Sequence, residues 1–174
     1  MYNYDKIILY GDGIVKIEKT YLTKENLLKI EKIDDSFYKN AITGIDWYLE
    51  RYNEKHYAYC LIDEEEIVGY IVSVPIKKEL YDAIINGVLV NDLHINPAMY
   101  LTESEYNYIV SCVIKKEYRN KNYGKLLMET VLSDLNNGYA CCLTISKAGY
   151  KLANKYLKLK MKLNDDVSVF EKNK

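Results

Sequence analysis

The sequence predicts an α/β fold built on a mixed, largely antiparallel central sheet flanked by helices. Three observations carry that expectation. Two pairs of strand-like runs, over residues 57–74 and 158–171, are each joined by a short polar turn, as hairpins are. A strand–helix–strand pattern over residues 108–145 sets two strands parallel, because a helical crossover returns the chain to the same end of the sheet. Hydrophobic residues make up 49% of the 174, enough to bury a sizeable core in a single domain spanning 1–174.

The elements follow in order. Residues 6–10 and 14–21 are rich in β-formers and flank Gly11-Asp12-Gly13, a turn signal, so the chain opens on a hairpin. Thr23 is placed to cap a helix whose apolar side is Leu27, Leu28, Ile30 and Ile33. A second helix is expected from Thr43 to residue 53, with Asp46 as capping-box partner and Trp47, Tyr48 and Tyr52 as a core-facing aromatic stripe. Residues 57–62 and 67–74 form the clearest hairpin, and the acidic turn at 63–66 reads as a solvated tip. Residues 77–86 read as a short helix stopped by Gly87. Residues 88–95 are mixed, and Asn96-Pro97 opens an irregular stretch to 107.

An apolar strand over 108–114 leads through a polar loop, 115–123, into a helix over 124–136. Its buried face is Leu126, Leu127, Val131, Leu132 and Leu135, and Asn137-Gly138 stops it. A strand over 139–145, a helix over 147–156 and the final hairpin, turning at Asn164-Asp165-Asp166, complete the chain.

Composition narrows the function. Lys plus Arg number 24 against 25 Asp plus Glu, a net charge of −1, so a broad basic surface for nucleic acid is not expected. No apolar run approaches the roughly 20 residues of a membrane span. Met1-Tyr2-Asn3-Tyr4-Asp5 lacks the basic and apolar regions of a signal peptide, so a cytoplasmic location is the expectation. Cys60, Cys112, Cys141 and Cys142 sit in apolar, strand-like contexts and read as buried reduced thiols. With only His56 and His94 and no CxxC pair, no metal site is expected.

The segment that carries chemistry runs Val110-Ser111-Cys112-Val113-Ile114, then Lys115-Lys116-Glu117-Tyr118-Arg119-Asn120-Lys121-Asn122-Tyr123-Gly124-Lys125. A strand feeds a loop that enters a helix N-terminus, where backbone N–H groups and the helix dipole favour an anion. Asn120, Asn122 and Gly124 recur at every second position, and Asn and Gly tolerate positive φ, so the loop can turn successive N–H groups into one concavity. Arg119, Lys121 and Lys125 add positive charge. The segment is neither a GxxxxGK[ST] nor a GxGxxG loop.

This segment resembles motif A of the GNAT superfamily of acyl-CoA-dependent N-acetyltransferases, a hydrophobic strand followed by Q/R-x-x-G-x-G/A at a helix start. Arg119 fills the first position, Gly124 the last, and Asn122 stands where the middle glycine is usual. Residues 63–71 resemble the family's second-to-third strand hairpin. Tyr156-Leu157-Lys158-Leu159-Lys160-Met161 resembles its Y-x-K-L-G-F element, with Lys160 for Gly and Met161 for Phe, and Gly149 stands seven residues before that Tyr, where Asn is common.

The resemblance implies a GNAT-like sheet whose parallel pair splays apart to admit the pantetheine arm of acetyl-CoA. Backbone groups of Cys112, Val113 and Ile114 would pair with the arm and thioester, while Arg119, Asn120, Lys121, Asn122, Tyr123, Gly124 and Lys125 would hold the pyrophosphate. An amine of a small molecule, peptide or protein would attack directly, so Cys112 is not expected to be a nucleophile. Tyr156 would protonate the leaving thiolate. Tyr108 takes the place where many members keep a Glu as base; Glu105 is the nearest carboxylate upstream, with Asp92, Glu103 and His94 as alternatives. A non-catalytic acyl-CoA-binding regulator on the same fold is the competing expectation. A homodimer is compatible with the sequence.

Overall fold

The computed structural model describes residues 6–10, 13–35 and 44–172. The expected opening hairpin is β1 (Lys6–Tyr10) and β2 (Gly13–Tyr21), antiparallel from Lys6↔Ile17 to Tyr10↔Gly13. The Gly11-Asp12 part of the turn signal lies outside the described residues, as does Thr43. Helix α1 (Lys24–Asp35) starts where Thr23 predicts, its hydroxyl accepting from the Asn26 N–H at 3.3 Å. Helix α2 (Ile45–Arg51) is shorter than expected at both ends. Gly44 occupies its N-cap without a side-chain hydrogen bond, which corrects the capping box expected with Asp46.

Strands β3 (Tyr57–Asp63) and β4 (Glu66–Pro75) form the central hairpin. Glu64 and Glu65 both take positive φ, 47° and 77°, the requirement of a two-residue hairpin turn whose twist matches the strands. Helix α3 (Lys78–Ile85) buries Leu80, Tyr81 and Ile84, and Gly87, just past its C-cap Asn86, has the φ of +70° that explains the stop.

Strand β5 (Tyr106–Ile114) starts two residues before the expected apolar run, because Tyr106 and Asn107 pair with Tyr139 and Ala140. Helix α4 (Tyr123–Asp134), strand β6 (Tyr139–Thr144), helix α5 (Lys147–Tyr156) and the hairpin of β7 (Lys158–Lys162) and β8 (Ser168–Lys172) complete the order. The sheet runs β1-β2-β3-β4-β5-β6-β8-β7. It is mixed and mostly antiparallel, with β5 and β6 as the parallel pair. Among the described residues, no helix is long and apolar enough to cross a membrane.

The chain packs as two compact units, residues 1–72 with 111–131, and residues 73–110 with 132–174. In the first, Ile17, Leu27, Ile30, Leu61, Val68, Ile71 and Leu127 are at most 1% exposed, each burial contributing roughly 1.5–3 kcal/mol. Here β4 and β5 approach so closely at Gly69 that a Cβ would lie 3.0 Å from the Val113 carbonyl oxygen and 3.0 Å from Leu61 Cδ1.

In the second unit α3 and α5 both pack on β6 and β8, and Tyr108, Phe170, Ile76 and Ile84 are buried. Tyr106 stacks on Tyr139 across the parallel pair, with centroids 5.0 Å apart and planes 8° from parallel. The parallel ladder holds three rungs and ends at Tyr108↔Cys141, in keeping with the splaying that the resemblance implies.

Candidate active site

The loop after β5 is pinned to the β3–β4 hairpin before it reaches α4. Residues 116–118 make one 3₁₀ turn. The Tyr118 hydroxyl donates to Asp63 Oδ2 at 2.7 Å, and the Lys115 ammonium pairs with the Glu66 carboxylate. Arg119 Nε donates back to the Ile114 carbonyl at 3.1 Å. The acidic turn is therefore not merely a solvated tip: Glu64 and Glu65 are exposed, but the flanking carboxylates of Asp63 and Glu66 hold the loop. The carboxylate beside it, together with partial burial, pushes the Tyr118 phenol up to about 12.

Beyond Arg119 the backbone alternates in hand. Asn120 and Asn122 both have φ 62°, as their residue types allow. The Asn122 carbonyl accepts the Leu126 N–H at 3.2 Å and so opens α4. The N–H groups of Gly124 and Lys125, in the first turn, have no acceptor within the helix and carry its positive dipole end. Arg119, Lys121 and Lys125 are exposed around them. The Tyr123 side chain is 2% exposed, so this residue offers the loop its backbone, not its ring.

Strand alternation sorts the three expected thioester contacts. The Lys115 N–H donates to the Val68 carbonyl at 2.9 Å, so Lys115 and Val113 turn their backbone groups to β4. Cys112 and Ile114 turn theirs to the opposite edge, where the Ile114 carbonyl is already held by Arg119. Past the last rung at Tyr108↔Cys141, no β5–β6 pairing among the described residues takes up the Cys112 N–H and carbonyl or the Ile114 N–H. Desolvation pushes the Cys112 thiol up to about 12, which leaves it un-ionised and unsuited to nucleophilic attack. The other cysteines are also free thiols, all buried.

The remaining sequence-derived residues fall in the second unit. Tyr156 ends α5, half-buried, with Lys155 Nζ 5.7 Å from its ring centroid. Lys160 is drawn instead to Glu171 at 3.1 Å. Glu105 is exposed just before β5, and its carbonyl accepts the Tyr139 N–H at 2.7 Å. Tyr108 is 1% exposed, and burial, then Asp92, hold its phenol well above the usual range. His94 and Glu103 are exposed. Among the described residues, no group of three or more His, Cys, Asp and Glu side chains could hold a metal ion.

One buried polar cluster has no motif in the sequence. Asp34, 7% exposed near the end of α1, accepts from Tyr48 of α2 and Tyr70 of β4, and Ser111 of β5 reaches Tyr70 at 3.0 Å. The one signal in the sequence is helical spacing: Asp34 follows Leu27 and Ile30 at seven and four residues and thus lies on the buried stripe of α1.

Comparison with known proteins identifies the fold and the family. No curated protein sequence is significantly similar to the chain. Among solved structures, Arabidopsis thaliana NAA60 in complex with acetyl-CoA superposes with a TM-score of 0.65 at 12% identity, covering 92% of this chain and 99% of that one. PH1933 from Pyrococcus horikoshii OT3 gives 0.62 at 18% identity, covering 92% and 98%. A GNAT-family acetyltransferase from Streptococcus agalactiae 2603 gives 0.60 at 17%, covering 96% and 99%. These likenesses establish the fold. Residues 24–148, well over half the chain and including the β3–β4 hairpin, β5, the alternating loop and α4, match the Acetyltransferase (GNAT) family, and the chain belongs to that family.

Proposed function

We propose that the 174-residue chain acts as one domain that moves the acetyl group of acetyl-CoA to a primary amine of a small molecule, peptide or protein. The observation that carries the reading is the backbone of the loop, with positive φ at Asn120 and Asn122 directly before a helix start. It directs N–H groups toward one anion, and Arg119, Lys121 and Lys125 surround it with charge. Acetyl-CoA in complex with NAA60, on the same fold, supports the choice of that nucleotide.

The chemistry needs little beyond placement. The loop holds the pyrophosphate, and the Cys112 and Ile114 N–H groups take the arm and the thioester oxygen, where a fixed donor stabilises the tetrahedral oxyanion. The amine attacks the thioester carbon directly; holding the two together supplies much of the rate gain. Tyr156 donates its phenolic proton to the departing sulfur. Glu105, exposed in solvent, would act as base only through water.

Calorimetry with acetyl-CoA, then CoA release against an amine panel, tests the reading. Micromolar binding that weakens on Asn122→Pro, with CoA release on at least one amine, is the expected result. No binding to the wild-type chain refutes it, and binding without release on any amine would make the chain an acyl-CoA-binding protein instead.

A further inference from the structure

An amine is protonated at neutral pH and must lose a proton before it attacks. Tyr108 on β5 is buried, and Glu105 just before that strand is exposed. The Asp34 cluster offers a built alternative in the first unit. Tyr70 Oη donates to Asp34 Oδ1 and Tyr48 Oη to Oδ2. Ser111 Oγ lies 3.0 Å from Tyr70 Oη.

Donor counting fixes the direction of this chain. An ionised carboxylate only accepts, and a phenol has one proton. Tyr70 commits its proton to Asp34, so its oxygen can only accept from Ser111. Ser111 then has no proton to give elsewhere and presents acceptor lone pairs. Tyr70 and Asp34 are buried, Ser111 is half-buried, and Ser111 immediately precedes Cys112, whose backbone faces the thioester in the proposed reaction.

We infer that Ser111, Tyr70 and Asp34 form a proton relay that deprotonates the acceptor ammonium, with Ser111 touching the amine and Asp34 receiving the proton; this rests on the acetyl-transfer reading above. In the step, one N–H bond of the ammonium breaks and an O–H bond forms at Ser111 Oγ. The Ser111 proton passes to Tyr70 Oη and the Tyr70 proton to Asp34 Oδ1. Serine and tyrosine end neutral, the carboxylate becomes a carboxylic acid, and the amine holds a free electron pair. After acetyl transfer the proton returns along the same path to water. Ser111 is the catalytic residue of the relay; Tyr70 and Asp34 are positioning residues behind it. Among the described contacts, the titratable groups that bond to Asp34 include the phenol of Tyr48 from α2 and that of Tyr70 from β4.

The test is kcat/KM for CoA release between about pH 7 and pH 10.5, the upper end chosen because a primary amine is then largely unprotonated. The probes are spermidine, tyramine, lysine and a tetrapeptide with a free N-terminus, and the amine that wild-type protein turns over fastest is carried through. Ser111→Ala and Tyr70→Phe should each lose roughly 10²-fold near pH 7. The loss should shrink towards none at the upper end, where no base is needed. Tyr70, whose phenol is held well above its usual range by burial, then by the Asp34 charge, keeps its proton there. Ser111→Thr retains a hydroxyl and should recover most of the pH 7 rate that Ser111→Ala loses.

A loss equal at every pH marks a structural role and overturns the relay, as does no loss near pH 7. Asp34→Asn should show the same loss near pH 7 and the same recovery at high pH; should it fail to fold, the Ser111 and Tyr70 variants carry the test unaided. Wild-type turnover with unaffected variants sinks only the relay; no turnover of any probe by wild-type protein sinks the acetyl-transfer reading and the relay with it.

Discussion

Asn120 and Asn122 hold the same backbone angle, φ 62°, on either side of Lys121. The sign is what the loop needs, and asparagine adopts it at lower cost than other residues with a side chain. Asn122→Val places a β-branched residue there at about 1–2 kcal/mol. Acetyl-CoA affinity measured by calorimetry should fall by roughly 10-fold, whereas Asn122→Gly, which accepts the same φ freely, should stay near wild type.

The Glu64-Glu65 turn makes a separate prediction about stability. Both residues sit at positive φ, where Asn and Gly are the favoured pair. The double change Glu64→Asn with Glu65→Gly should stabilise the fold by about 1 kcal/mol, read as a rise of roughly 2–4 °C in Tm. Asp63 and Glu66 are untouched, so acetyl-CoA binding should not change.

Gly69 predicts the reverse. A side chain there meets the Val113 carbonyl at 3.0 Å, an atom of backbone that cannot swing aside. Gly69→Val should cost about 1–3 kcal/mol in urea unfolding and should also weaken acetyl-CoA binding, because it displaces the strand that leads into the loop.

Tyr156→Phe removes a hydroxyl and keeps most of the packing. If Tyr156 protonates the thiolate, kcat falls by roughly 10²-fold with acetyl-CoA affinity unchanged. An unaltered kcat, with chemistry shown to be rate-limiting, returns Tyr156 to a packing role.

Cys112 yields a prediction from pH. Its thiol is pushed up to about 12, so at pH 8 only about one molecule in 10⁴ carries the thiolate that alkylating reagents attack. Iodoacetamide at that pH should leave Cys112 unlabelled in the folded protein and acetyl transfer intact, and Cys112→Ala should retain activity.

Local signals made most of the fold readable. The β3–β4 hairpin, α5 and the strand–loop–helix segment announce themselves through alternation, caps and turn residues within a few positions. Tyr106 and Asn107 did not read as strand, because their partners Tyr139 and Ala140 lie 33 residues on. The start of α2 was misplaced because Gly44 caps it without the side-chain bond that a capping motif supplies. The Asp34 cluster joins residues 14 and 36 positions apart, and Ser111 stands 41 positions from Tyr70. No window of sequence contains such a cluster. The alternation of the loop at residues 120–122 before α4 is legible because all its parts are consecutive.

The alternation along the end of β5 also leaves a kinetic signature. Val113 and Lys115 turn their amides into the pairing with β4, while Cys112 and Ile114 turn theirs outward. In deuterated water the outward amides should exchange fast and their immediate neighbours slowly, a tooth-and-gap pattern along four consecutive residues. A ligand that lies along this edge would fill the gaps and leave the teeth as they were, so the position of the bound arm can be read from the solvent side of a single strand without any measurement of turnover.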